Sequence, residues 1–382
     1  MRKNLIQHFI LTALVVISFT ANAQHESETH ETEHNVETHS TGDDHAHAET
    51  KAWEDMSKDE RKQEVQKVKE HHLLDDHDFT ITHGVSFPLP VILLDNGLQV
   101  FMSSKFNHGT TVAEVNGNFY KIEKHSGKIY KTDASGTFTM DENHHPTNAK
   151  PLDLSITKNV FVILLMAIFM LFIFGRVAKS FKTGPMPKGA GRFLEPLVIF
   201  VRDEIAIPNI GEKQHGKYMS FLLTVFFFIW FLNLAGMTPL GIGVTNNIAI
   251  TFSLALMTFF ITQFTGKKTY WLHLFDPLGS SMPWVAKGPL YILLVPIELL
   301  GTIVKPFSLM IRLYANMTAG HIVLMSILGL IFVANSWLAA GPFSVLTLLL
   351  SILELLVAAL QAYIFTMLSA LYFGAAAAEE HH

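Results

Sequence analysis

The sequence contains no cysteine, which excludes a disulfide framework and any thiolate metal site. A segment exported from the cytoplasm must then hold its shape by packing alone. Charge is also scarce, at 16% of residues against 49% hydrophobic, a balance that excludes an ordinary soluble domain. What charge there is sits unevenly. Most of the acids and 14 of the 20 histidines fall within 24–151, so the net charge of −5 says little about partners. No internal repeat is visible.

The first 23 residues have the layout of a secretory signal: Arg2 and Lys3, an apolar core over Phe9–Phe19, and a small-x-small site at Ala21-Asn22-Ala23. An uncleaved anchor is the other reading, and either delivers the next segment outside the cytoplasm. Residues 24–56 are rich in His and Glu with no apolar period, which predicts disorder. They include a literal H-E-x-x-H, His30–His34. A metalloprotease needs that pattern on a packed helix with a third ligand, and nothing apolar surrounds it here. A solvated acidic tail fits better, and loose binding of divalent metal comes second. Over 57–150 the sequence predicts a charged helix capped by Ser57, then a small β module. Short runs from Phe79 to Met140 are punctuated by Asn96-Gly97, Asn116-Gly117 and Ser126-Gly127 as tight hairpin turns.

Residues 151–382 are expected to form a membrane domain. One span covers about Val160–Phe174. The basic loop after it (Arg176, Lys179, Lys182, Lys188, Arg192) belongs in the cytoplasm by the positive-inside rule, the orientation the signal also gives. An amphipathic stretch over 192–212 is expected along the cytoplasmic surface. Spans near Met219–Leu240 and Ile248–Thr265 come next, joined by a polar turn over 241–247. Gly211–Lys217 imitates a phosphate-binding loop, but Tyr218 stands where Ser or Thr must hold Mg²⁺.

Two long apolar runs complete the chain, 290–333 and 343–378. Lys305-Pro306 is the one signal that could divide the first into two spans; otherwise it is a single tilted helix. Asn335-Ser336 and Gly341-Pro342 are expected to separate the two runs. Arg312 lies in the middle of the first. A guanidinium does not deprotonate, and at mid-bilayer depth it costs from ~3 to more than ~10 kcal/mol. A partner or a wet path must offset that cost, so an ion path is the default reading. Glu298, Lys305 and Arg312 recur at intervals of seven on one helix face. In an antiparallel hairpin, Arg312/Gln361 and His321/Glu354 share nearly the same midpoint, near residue 337. That predicts Arg312 level with Gln361 and His321 level with Glu354. A buried His–Glu pair suits a proton relay, since both groups titrate near neutrality when desolvated; a structural pair is the plainer alternative. Gln361 could equally tie helices together, and Glu298 and Lys305 could snorkel to the interface. On the outer side, Asn246 or Asn247 is a candidate for the path to this pair. The fold class expected is an all-α polytopic membrane protein of about five spans, the last two long and tilted, with a small β-rich extracytoplasmic domain.

The run Pro306–His321, with Arg312, Asn316 and Gly320 at intervals of four, closely resembles the signature of subunit a of rotary F-type ATP synthases. Leu360-Gln361-Ala362-Tyr363-Ile364-Phe365 is similar to the second signature of that family, and Asn233–Pro239 to its third helix. The resemblance covers about 150–382. It implies a multi-pass stator in a bacterial inner membrane, beside a ring of proteolipids each bearing one mid-membrane carboxyl. It implies as partners the peripheral-stalk subunit b and the rest of the synthase, with no cofactor, no nucleic acid and no catalysis by this chain alone. Arg312 matches the family's essential arginine, Gln361 the glutamine beside it and Asn316 the signature asparagine. His321 and Glu354 occupy the family's Glu and His positions, exchanged. The resemblance says nothing about 24–150. A secondary proton or cation transporter is the main alternative, and would carry inverted repeats and a helix broken at mid-membrane. A metal-sensing envelope protein built on the His-rich tail is the second.

Overall fold

A computed structural model describes Ser57, 60–62, 75–82, 85–95, 97–123, 126–141, 145–183, 189–238, 243–276, 284–334 and 337–378. The signal segment, the His-rich tract with its H-E-x-x-H, and the charged helix beyond residue 62 lie outside these residues. Ser57 and Glu60 cap each other: the Glu60 N–H donates to Ser57 Oγ (3.2 Å) and the Ser57 N–H to Glu60 Oε2 (2.7 Å).

Among the described residues, the β module contains eight short strands. β1 (Asp78–Thr82) pairs with β2 (Val85–Pro88). β3 (Pro90–Leu94) lies between β4 (Leu98–Met102) and β8 (Leu152–Asp153). β5 (Ala113–Val115), β6 (Asn118–Ile122) and β7 (Ile129–Thr132) form a third sheet. All pairings are antiparallel. Inward residues alternate with outward ones, as in burial over β4 of Gln99 and Phe101 only. Val91, Leu93, Phe101, Phe106 and Tyr120 close the core.

Asn116-Gly117 makes the expected two-residue hairpin, with φ of 50° and 79°. Ser126-Gly127 does not. It belongs to a longer connection between Ile122 and Ile129, where the Ser126 N–H donates to Glu123 Oε2 (2.7 Å) and holds the wider loop. The run ending at Met140 is not a strand either; Met140 forms one isolated bridge to Pro146, and Phe138 instead packs edge-on against Tyr130.

The module is fastened to the first membrane helix, α1 (Lys158–Thr183). Asp75 accepts from the Asn159 N–H (3.1 Å), and the Lys158 N–H donates to the Asp76 carbonyl (2.8 Å). A carboxylate thus meets the positive end of the helix. His77 Nε2 lies 3.3 Å from Asp153 Oδ2, joining the start of β1 to β8.

Among the described residues, five helices are long and apolar enough to cross a membrane: α1, α3 (His215–Gly236), α4 (Ile248–Thr265), α6 (Trp284–Ala334) and α7 (Trp337–Ala377). Between α1 and α3 lies α2 (Ala190–Phe200), prolonged by a π turn (Val201–Ala206) and one last α turn (Ile207–Ile210). Leu194, Val201, Ile205 and Ala206 face the bundle while Arg192, Arg202, Asp203 and Glu204 face outward, so this amphipathic stretch is docked on the bundle as well as lying beside it. Gly211, at φ 92°, turns the chain into α3. The phosphate-loop imitation is therefore a helix-to-helix corner. A short helix the sequence did not announce, α5 (Lys268–Phe275), comes after α4.

α3 is the centre of the bundle, with 72% of its apolar window buried against 28% for α1. It ends at Gly236, short of the expected Leu240. Tyr218 stacks on Phe373 of α7 (4.7 Å), and Phe227 meets Phe174 of α1 (4.9 Å).

Candidate functional site

α6 runs 51 residues without interruption, ~77 Å at ~1.5 Å per residue. α7 runs 41 residues, ~62 Å by the same rise. A hydrocarbon core is ~30 Å thick, so both lie steeply inclined to the membrane normal. Lys305-Pro306 does not divide α6. Pro306 frees the Thr302 carbonyl from its helical bond, and the turn is held nonetheless by neighbouring contacts, including Thr302 Oγ1 donating to the Glu298 carbonyl (3.0 Å). Gly341-Pro342 does not separate the runs either, for it lies inside α7. α6 is described to Ala334 and α7 from Trp337, and the expected break at Asn335-Ser336 lies outside the described residues.

Two contacts fix the register of the hairpin. His321 Nδ1 lies 3.9 Å from Glu354 Oε1, with both side chains buried. Lys305 Nζ lies over the Tyr372 ring at 5.8 Å. The two together place Arg312 opposite the stretch of α7 that begins with Gln361. Gln361 itself is 2% exposed. Gln361 and the half-buried Arg312 make no hydrogen bond to each other among the described residues, and the two contacts set Arg312 level with residues 363–365, about one turn beyond Gln361. Helical side chains lean toward the N-terminus; for Arg312 that is the Lys305 side. Among the described residues its guanidinium has no ion-pair or hydrogen-bond partner. Asn316, one turn on, is exposed on the outer surface of α6. Glu298 is half-buried nearer the start of α6.

On the His321 and Glu354 side of Arg312 the structure adds buried polar atoms, Asn233 and Thr318, to the asparagines the sequence offered. Asn233 of α3 is fully buried; its Nδ2 donates to the Ala358 carbonyl (3.4 Å), and its Oδ1 has no protein partner. Thr318 Oγ1 and Asn246 Oδ1 are likewise buried without one. The signal that could have found Thr318 is its position three residues before His321, on the face α6 turns inward. Of the two candidate asparagines, Asn247 is occupied as the N-cap of α4, accepting from the Ala249 N–H (2.9 Å). Asn246 remains. On the other side of Arg312, Thr258, Thr262, Gln263, Tyr270, Thr302 and Lys305 line a small cavity between α4, α5, α6 and α7. Polar groups thus gather on both sides of the arginine.

Outside these groups, the surface of α6 and α7 is apolar: Phe307, Ile311 and Ile322 on one helix, Leu349, Leu353 and Leu356 on the other, all at least one-third exposed. No group of three or more potential metal ligands exists among the described residues.

Comparison with known proteins agrees with this geometry. Residues 160–374 match the family described as ATP synthase A chain. Residues 68–154 match a separate domain of unknown function. The chain is 46% identical over 237 residues to ATP synthase subunit a of Myxococcus xanthus, covering 60% of this chain and 76% of that protein. It is 44% identical over 242 residues to ATP synthase subunit a of Chlorobium phaeobacteroides, covering 60% and 68%. With ATP synthase subunit a of an Anaeromyxobacter species it shares 40% over 261 residues, covering 66% and 62%. The β module precedes the region matched to the family, and from the first span to Gly374 the chain belongs to the ATP synthase A chain family.

Proposed function

We propose that this chain is the proton-translocating stator of an ATP synthase membrane sector, with Arg312 separating two aqueous half-channels beside a rotating ring of carboxylate-bearing subunits. The observation that carries the reading is a permanent cation, half-buried and without an ion partner among the described residues, on an otherwise apolar helix surface with polar clusters on either side. The charge that would balance it comes from a neighbouring subunit. The other partners proposed are peripheral-stalk subunit b and the remaining subunits of the synthase, within the inner membrane and with the β module on the outer side.

The mechanism rests on desolvation. A proton enters past Asn246 and Thr318, where buried polar atoms without protein partners favour ordered water. His321 and Glu354 pass it to a ring carboxylate. Once neutral, that carboxyl can turn into lipid, which its charged form cannot enter. After nearly a full turn it releases the proton through the cavity beside Lys305. Arg312 attracts the bare carboxylate, and its fixed charge stops a proton from crossing directly between the clusters. Each elementary charge moved through 100 mV supplies ~2.3 kcal/mol, so several are needed for one ATP. The transporter alternative expects a helix broken at mid-membrane, and both α6 and α7 are continuous.

The test is Arg312→Ala in the assembled complex. ATP-driven acidification of membrane vesicles is abolished while the subunits still copurify; pumping at the parental rate would refute the proposal.

A further inference from the structure

The β module carries an apolar face that its own fold leaves open. In the hairpin of β3 and β4, the directly opposed pairs Pro90/Met102, Ile92/Val100 and Leu94/Leu98 have side chains on the same side of the sheet. That side is opposite the core, since Val91, Leu93 and Phe101 point inward. The third strand continues the face. Leu94 pairs with Leu152, and two further ladder bonds, from Leu154 N–H to the Ile92 carbonyl (2.9 Å) and from Ile156 N–H to the Pro90 carbonyl (3.1 Å), carry the register onward. Leu152, Leu154 and Ile156 therefore join the same face. The result is three rows of three side chains, none charged or polar. Leu98 is 63% exposed and Val100 58%.

The position of this face relies on two attachments. Its third strand runs into α1, which starts two residues after Ile156. Phe79 of β1 packs on Phe161 in the first turn of α1 (ring centroids 5.3 Å). Phe87, directly opposite Phe79, is more than half exposed. The module is thus held against the end of α1 at which that candidate span begins. Its apolar face is continuous along the chain with the exposed apolar surface of α1, on which Leu165, Ile168 and Phe172 lie. At ~4.8 Å between strands and ~3.3 Å per residue along them, the nine side chains cover roughly 300 Å². A stable protein interface needs roughly 800 Å² from each partner. The face is too small to hold a second copy, yet as large as the apolar patches that mark an interaction site.

We propose that this sheet face lies in the headgroup–acyl boundary of the leaflet that α1 enters, making the β module a lipid-seated domain and not one standing free in solution. Side chains without polar atoms gain by leaving water there, and the backbone behind them is already paired within the sheet. The row next to α1, with Met102, sits deepest; the row with Leu98 sits shallowest. The seat stands apart from the proton path and needs only that α1 crosses the membrane.

The absence of cysteine makes the test direct. Met102→Cys, Val100→Cys and Leu98→Cys, with Ser135→Cys on an exposed loop as reference, are spin-labelled in the full chain within the complex. The complexes are reconstituted in vesicles of phosphatidylethanolamine and phosphatidylglycerol. Collision with oxygen, which partitions into lipid, is compared with collision with a water-soluble nickel chelate. The ratio of the two is several-fold higher at Val100 than at Ser135, and falls in the order Met102, Val100, Leu98. A ratio at Val100 equal to that at Ser135 overturns the proposal in favour of a solvated face. Shielding from both agents overturns it in favour of a protein cover, whether another chain or residues 1–56. Leu154→Cys, on the neighbouring strand, gives the same reading if Val100→Cys does not assemble.

Discussion

At the scale of single residues, the exchanged His–Glu pair is the feature most open to experiment. His321 and Glu354 approach to 3.9 Å, close enough to share a charge but beyond a direct hydrogen bond. A bridging water completes such a pair readily. If the pair relays protons, His321→Ala slows passive proton flux through the membrane sector by roughly 10²-fold, the usual worth of a positioned acid–base group. The double exchange His321→Glu with Glu354→His recovers part of that loss, because the pair is restored with its members transposed. Silent single variants would show that the pair is structural. His77 offers a different titration, in the β module. Burial disfavours its charged ring, but the bonded Asp153 carboxylate outweighs this and holds its pKa above the usual range. Burial acts against the Asp153 carboxylate too, and His77 prevails there, keeping it below its usual range. Burial raises Asp75, against the bond from Asn159. A histidine with a raised pKa stabilises the fold fully below its unfolded value and loses that contribution as pH rises through the folded one. Asp75 has the same sign, since alkali forces a charge into its buried site. The module therefore loosens from α1 on the alkaline side. Protease nicking between 75 and 157 should accelerate as pH rises past the ordinary histidine range, near ~6.5, and His77→Gln should flatten the dependence. The Asp153 contribution fails only in acid, as pH falls through its depressed value.

At the scale of elements, the sequence conveyed lengths and faces more faithfully than boundaries. The spacing of His321 and Glu354 anticipated their approach across the hairpin because a helix has a fixed period and two antiparallel helices have one midpoint, whereas Arg312 falls about one turn from Gln361. Gly341-Pro342 misled for a physical reason. In apolar surroundings neighbouring helices and local adjustment satisfy what a proline releases, so Pro342 and Pro306 are absorbed into α7 and α6. The strand at Leu152–Asp153 was hidden because its ladder is built with residues some sixty positions earlier, which no local pattern reports. Asn233, though part of a recognised run, reveals its burial only when α3 meets α7. The same long-range packing explains Gly374. A Cβ there would strike the Asn209 carbonyl in the last turn of the docked surface helix. Gly374→Ala should therefore cost about 1–3 kcal/mol through forced displacement of packed backbone. In detergent, the melting temperature falls and residues 190–214 become open to protease. An unchanged melt would mean that the docking yields without strain.

Considered as a whole, the molecule divides its labour unevenly. The polar clusters, Arg312 and the exposed apolar surface of the last two helices are built by α3 to α7 and the turn before α4. α1 leans on that group from outside, joined to it by buried Val162, Ile163, Ala167 and Met170 and by aromatic contacts such as Phe169 with Phe231 (5.8 Å). The β module reaches the bundle through α1 and the contacts around its first turn. Among the described residues, no hydrogen bond or ion pair joins the module to Glu354 or Arg312. Domains joined through so narrow a connection behave as separate units, and the family match begins at Val160, past the module. Removing residues 24–150 while keeping 1–23 should therefore leave ATP-driven proton pumping in vesicles close to the parental rate per assembled complex. The comparison requires quantifying the chain in the membrane, since the exposed start of α1 loses the Asp75 and Asp76 caps and some protein will be degraded. Normal assembly with pumping lost would instead assign the module a part in the proton path, at the outer entry near Asn246, and the division drawn from the packing would be wrong.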